Sequence, residues 1–138
     1  MAHFQKVITI PTHRRGLFDI STHAREVVAQ SGVHVGLCNV FVRHTSASLV
    51  IQENADPSVL RDLERWLSDL APETRVWEHA DEGPDDMPAH AKGAVTRTSE
   101  TIPIVDGKLA FGTWQALYLW EHRSAPHQRQ IVIHVWGE

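Results

Sequence analysis

The sequence has one cysteine, Cys38, one tyrosine and no long apolar run. A single thiol can form no internal disulfide, which fits a reducing compartment. Cys38 lies in an apolar, strand-like stretch, where a small buried hydrophobe is expected rather than a reactive nucleophile. No segment approaches the roughly 20 apolar residues a membrane helix requires, and the opening MAHFQKVITIPTHRRG has neither the apolar region nor the cleavage site of a secretory signal. Excess positive charge is missing as well. Thirteen Lys and Arg face 17 Asp and Glu, a net charge of −4, so no general basic field exists to hold nucleic acid or anionic lipid. Together these absences predict a soluble, cytoplasmic protein with neither a nucleic-acid nor a membrane partner.

What is present is an ordinary globular balance. In 138 residues, 42% are hydrophobic and 22% charged, which suits one domain over 1–138 with a real core. Residues 4–10 alternate loosely and stop at Pro11, as a half-buried strand does. A turn at Arg15-Gly16 leads to a short amphipathic helix, capped by Asp19 or Ser21 and ended by Gly32. Residues 33–42 and 46–52 read as two strands flanking His44-Thr45, with His44-Thr45-Ser46 interrupting a strand pair. The clearest helix follows Asp56-Pro57: Val59, Leu60, Leu63, Trp66, Leu67 and Leu70 recur at helical spacing, and Pro72 ends it. An acidic loop follows, then a short helix over about 88–96. Asp106-Gly107 is a two-residue turn of type I′ between strands 101–105 and 108–111. Strands 115–121 and 130–136 close the chain. The fold class is therefore α+β: mixed, largely antiparallel sheets in a sandwich-like arrangement with two or three helices.

Three stretches carry the polar chemistry. In the first, His44, Thr45, Ser46 and Ser48 offer several donors to an anionic oxygen, and Asn54 and Asp56 precede a helix N-terminus. Helix capping is the alternative for Asp56. The second crowds His79, Asp81, Glu82, Asp85, Asp86, His90 and Lys92 together, side chains suited to binding a divalent cation or moving protons near neutral pH. No strong zinc motif is present, and a solvated acidic face is the alternative for the acids. In the third, Gly112 and Thr113 bring backbone close to a ligand, and Trp114 offers a flat face, or simply packs. Glu121 ends an apolar strand, where a buried carboxylate needs a partner. His122 and the other histidines outside these clusters read as surface or strand residues.

Taken together, His44-Thr45-Ser46-Ala47-Ser48, Glu53-Asn54-Ala55-Asp56-Pro57, Asp85-Asp86-Met87-Pro88-Ala89-His90-Ala91-Lys92 and Gly112-Thr113-Trp114-Gln115 resemble the signature of the YjbQ family nearly end to end. The resemblance implies a small α+β fold, a homotrimer, and a side activity as a secondary thiamine-phosphate synthase. That reaction joins hydroxymethylpyrimidine diphosphate to a thiazole phosphate and releases pyrophosphate, usually with magnesium. It also implies site positions at His44, Thr45, Ser46, Ser48, Asn54, Asp56, His79, Asp86, His90, Lys92, Gly112, Thr113, Gln115 and Glu121. Many relatives carry cysteine where this chain has Ala55, so a covalent thiol at that position is excluded here.

The preferred reading is a transferase for a phosphorylated small molecule. In it Thr45, Ser46, Ser48 and Lys92 hold phosphate, and Asn54, Gly112, Thr113, Trp114 and Gln115 line the substrate. Asp56, His79, Asp86 and His90 hold a divalent metal, magnesium or zinc, and His44, His90 and Glu121 serve in catalysis. A zinc-dependent hydrolase with His44, His79 and His90 around the metal is the first alternative. A non-catalytic phosphometabolite binder is the second. All three require these distant segments to converge.

Overall fold

The computed structural model describes all residues, 1–138. Strands β1 (Ala2–Thr12) and β8 (His127–Gly137) pair along their whole length, from Ala2 opposite Gly137 to Thr12 opposite His127. Along β8 the side chains of Arg129, Ile131, Ile133 and Val135 are buried, while those between them face outward, the period of two that a one-sided sheet imposes. β1 runs through Pro11 rather than stopping there. It is an edge strand, where a residue without an N–H leaves no ladder bond unmade.

On its other side β8 pairs with β3 (Gly36–Val42), which pairs with β5 (Ser99–Val105), and β6 (Lys108–Leu109) completes a five-stranded sheet. The β5–β6 turn places Asp106 at φ 51° and Gly107 at φ 78°, both positive, as type I′ geometry requires. A second sheet has the order β2 (Gly16–Asp19), β7 (Gln115–Glu121), β4 (Ala47–Glu53). Every pairing is antiparallel, so the expected mixture narrows to one kind.

The expected pairing of the strands around His44-Thr45 does not occur. Both edges of β3 are taken by β8 and β5, and β4 instead joins β7 in the other sheet. His44-Thr45-Ser46 is thus the corner at which the chain crosses between sheets. This crossing sets the site geometry.

Helix α1 (Ser21–Ser31) buries Ala24, Val27 and Val28 and ends at Gly32, φ 69°. In the shared core these meet Val40, Ile131 and Ile133 of the larger sheet and Leu49, Leu117 and Leu119 of the smaller, each burial contributing about 1.5–3 kcal/mol against exposure. Helix α2 (Pro57–Leu70) begins as its sequence requires, with Asp56 accepting from the Ser58 N–H at 2.9 Å and Pro57 in the first turn. Of its apolar stripe only Leu67 is fully buried, and Trp66 and Leu70 stay exposed. Helix α3 (Asp86–Val95) starts two residues earlier than expected and lies against the His44 corner. A Cβ at Gly93 would sit 2.9 Å from the Thr45 carbonyl oxygen, so only glycine permits that approach. No helix is long and apolar enough to cross a membrane.

Candidate functional site

Asp86 and His90 lie one helical turn apart on α3, so their side chains share a face. The loop between α2 and α3 returns His79 to the same place. Asp86 Oδ2 is 2.7 Å from His79 Nε2 and 3.3 Å from His90 Nε2, and one ligand atom from each residue lies within 4.8 Å of the others. Asp86 is buried, whereas both histidines are partly open. Its other oxygen, Oδ1, accepts from Arg123 Nη1 at 2.7 Å. Burial works hardest against ionising Asp86, but the hydrogen bond from His79 and the charges of Arg123 and His90 outweigh it, so the carboxyl titrates below its ordinary range.

Arg123 is what holds this loop. Besides Asp86 it donates from Nε to Asp85 at 3.3 Å and from Nη2 to the Glu82 carbonyl at 2.9 Å, and the Ser124 N–H reaches Asp85 at 2.8 Å. The carboxylate facing the histidines is therefore oriented from behind by a fixed cation, as outer partners orient metal ligands.

A cleft of about 250 Å³ opens beside the cluster, lined by His90, Gly93 and Ala94 of α3 and by His44, Thr45 and Ala47 of the corner. His44 Nε2 accepts the Gln130 N–H at 2.8 Å, so the neutral ring carries its proton on Nδ1. Burial first, then the Arg129 charge, lowers its pKa and favours that neutral form.

A second polar group lies one step deeper. Glu121 is fully buried and held bidentately by Arg129, with Thr12 Oγ1 donating to it at 2.6 Å and the Arg123 N–H at 3.0 Å. Arg129 also donates to the Ser46 hydroxyl at 2.9 Å. Burial opposes the charge on Glu121, but Arg129 and Thr12 more than offset it and its pKa falls. Next to it, Ser48 Oγ lies 2.9 Å from His122 Nε2, while His122 Nδ1 is buried without a partner. Burial and then the nearby Lys92 charge push His122 down to about 3.

The residues expected in one pocket thus divide. His44, Thr45, His79, Asp86 and His90 come together at the cluster and cleft. Ser46, Ser48 and Glu121 lie just beneath, with their polar atoms engaged inside the fold. Lys92, expected at phosphate, is buried and donates to Ser68 Oγ of α2 at 3.2 Å. Burial is the chief cause of its lowered pKa.

Asn54, Asp56, Gly112, Thr113, Trp114 and Gln115 stand at the other end of the β4–β7 ladder. Glu53 faces Gln115 there, six residues along β7 from the Ala47–Glu121 end, or roughly 20 Å at strand rise. Asn54 Nδ2 donates to the Thr113 and Gln115 carbonyls at 3.1 and 3.3 Å, and Gln115 Oε1 accepts the Gly112 N–H at 2.8 Å. Trp114 is exposed and stacks on nothing. Asp56, expected among the metal ligands, caps α2 instead, because the free N–H groups of the helix start lie within its reach.

Arg129, His122 and Thr12 were not legible as site residues. Arg129 left one signal: a charge at an inward position of the otherwise aliphatic alternation in β8.

Fold and site define a small antiparallel α+β protein with a half-open His–Asp–His cluster at the junction of two sheets. The profile of the family described as UPF0047 protein YjbQ-like matches residues 6–138, and the chain belongs to that family. A UPF0047 protein of Synechocystis sp. is 55% identical over 97% of this chain and 92% of its own. The UPF0047 protein YjbQ of Escherichia coli O157:H7 is 37% identical over 98% of this chain and 99% of its own. Among solved structures, a YbjQ-like protein from Sulfolobus solfataricus superposes with a TM-score of 0.88 at 28% identity, covering 99% of this chain and 98% of that one. A YjbQ/UPF0047 family protein from Clostridium acetobutylicum also gives 0.88, at 32% identity, covering 95% of this chain and 99% of that one.

Proposed function

We propose that the protein is a metal-dependent enzyme acting on a phosphorylated small molecule, with His79, Asp86 and His90 as the metal ligands and the His44–His90 cleft as the substrate site. One observation carries this reading: three ligand atoms from two segments gather within 4.8 Å, with the carboxylate oriented by Arg123 and both histidines partly exposed. Two imidazole nitrogens and one carboxylate oxygen suit zinc, which in catalytic sites keeps a position for water, better than magnesium, which takes oxygen ligands. When bound, such an ion supplies Lewis-acid activation of water or a phosphoryl oxygen. His44 lines the cleft with Nε2 already engaged by the Gln130 N–H, which leaves its Nδ1–H as a hydrogen-bond donor, and Thr45 adds a hydroxyl.

The donor set favours hydrolysis over transfer. The finer reading implied by the family resemblance, a thiamine-phosphate synthase-like transfer with pyrophosphate release, needs a phosphate cradle. Of its four expected members only Thr45 lines the cleft, while Ser46, Ser48 and Lys92 are engaged elsewhere. A homotrimer, also implied by the resemblance, would need apolar surface to bury, and on the outer face of the larger sheet Val7 and Phe41 remain exposed in line with each other across β8.

Metal analysis after exhaustive dialysis, joined to a phosphate-release assay on phosphate esters, tests the main reading. Near-stoichiometric zinc in the wild type, lost together with activity in His90→Ala, is expected. No retained metal, with magnesium-stimulated pyrophosphate release instead, would overturn hydrolysis in favour of transfer. Tight binding of a phosphorylated ligand without turnover would leave a binder.

A further inference from the structure

A second recognition site lies away from the metal cluster. The segment Arg14-Arg15-Gly16-Leu17, leading into β2, faces α2 across a groove of about 650 Å³, and Leu60, Arg61 and Arg65 form the opposite wall. We propose that this groove binds a small organic polyanion bearing two or more linked phosphates.

The charge distribution points there. Four of the chain's 13 basic residues line this one groove in a chain of net charge −4, so the clustering is not a generally basic surface. The only acid in the wall, Glu64, is turned to other work: its Oε2 accepts the Trp120 indole N–H at 2.6 Å, and its charge supports the buried Lys92. Arg15 pairs with Glu73 at 3.2 Å, and Arg65 with Asp62 at 3.2 Å in an exposed contact that contributes little. Neither Arg14 nor Arg61 is in any ion pair. Two guanidinium groups are left with donors to spare.

Arg14 is also placed in advance. Its guanidinium lies 4.9 Å over the Phe18 ring, and Nη1 donates to the Arg15 carbonyl at 3.0 Å. Gly16 makes this possible: it sits at φ 135°, and a Cβ there would come within 2.4 Å of Arg14 Nη1. Arginine's fork matches phosphate oxygens two at a time, and Leu17 and Leu60 give the walls an apolar surface for an organic portion. The volume lies in the range of small-molecule sites and exceeds what a single phosphate fills.

The site does not depend on the metal reading, and its test keeps the two apart. Full-length protein is titrated calorimetrically with tripolyphosphate and with orthophosphate, with and without EDTA. Tripolyphosphate should bind at least about tenfold more tightly than orthophosphate, with EDTA making no difference. Arg61→Glu, an exposed change safe for folding, and Arg14→Ala should each weaken binding about tenfold or more. His79→Ala and Arg97→Ala should bind as the wild type does. Absence of binding below millimolar concentration, or binding lost in His79→Ala but kept in Arg61→Glu, would overturn the proposal.

Discussion

Two acid-centred clusters lie almost back to back, joined by Arg123, whose backbone N–H serves Glu121 and whose guanidinium serves Asp86. Around Glu121 every direction is filled: Arg129 twice, Thr12, and the Arg123 backbone N–H, with Glu121, Arg129 and Thr12 themselves buried. Around Asp86 one oxygen is fixed from behind, while the other looks toward two imidazoles that solvent reaches. The residue types are nearly the same. What separates a structural cluster from a candidate reactive one is whether its donors are saturated and whether anything can enter.

The largest effect should come from unbalancing the saturated cluster. Arg129→Ala leaves Glu121 buried and uncompensated, and denaturant unfolding should show a loss of about 3–5 kcal/mol, whereas replacing both members by apolar residues should recover much of it. If the single change costs no more than a surface substitution, the contrast fails.

Next comes pH. His122 has its folded pKa lowered to about 3, so below its unfolded value, near 6.5, the unfolded chain takes up a proton that the native state refuses. Stability should then fall as pH drops, by roughly 2 kcal/mol between pH 6.5 and 5, and His122→Asn should flatten that limb. The lowered carboxyls of Glu121 and Asp86 act in the same direction at lower pH: their stabilisation is present above the ordinary carboxylate range and is lost as pH falls through their folded values. An unfolding series from about pH 7.5 to 2 reads both.

Third, Asp86→Asn should abolish metal retention while costing about 1–3 kcal/mol, since Arg123 keeps Asp85 and the Glu82 carbonyl. Retention of zinc by this variant would move the ligand set elsewhere. The smallest effect is expected at the far end of the β4–β7 ladder, where Trp114→Ala should shift stability by less than about 0.5 kcal/mol and leave phosphate-ester turnover unchanged. A large loss of activity there would rejoin the two ends of the ladder functionally, as substrate or a second copy of the chain would have to do.

Local signals proved legible where local chemistry decides the outcome. Asp56-Pro57 opened α2, Asp106-Gly107 turned the hairpin, and strand 115–121 stood as expected. His79, Asp86 and His90 were legible for the same reason, since they are close in sequence and a helix turn brings two of them together. Long-range pairing was not. The crossing of His44-Thr45-Ser46 between sheets depends on which neighbours β3 and β4 find, and no local pattern encodes that. The partner of Glu121 sits on the next strand, and nothing in sequence near Lys92, expected at phosphate, announces that α2 lies over it.

Gly93 gives the cleft its aperture. Because α3 rests directly against the Thr45 carbonyl, the distance from one wall to the other is set by a methyl group that is not there. An alanine at 93 would act as a shim, prying the His90 wall away from the His44 wall by a fraction of an ångström while touching neither histidine. The width of the cleft is thereby written into a position that offers no chemistry of its own.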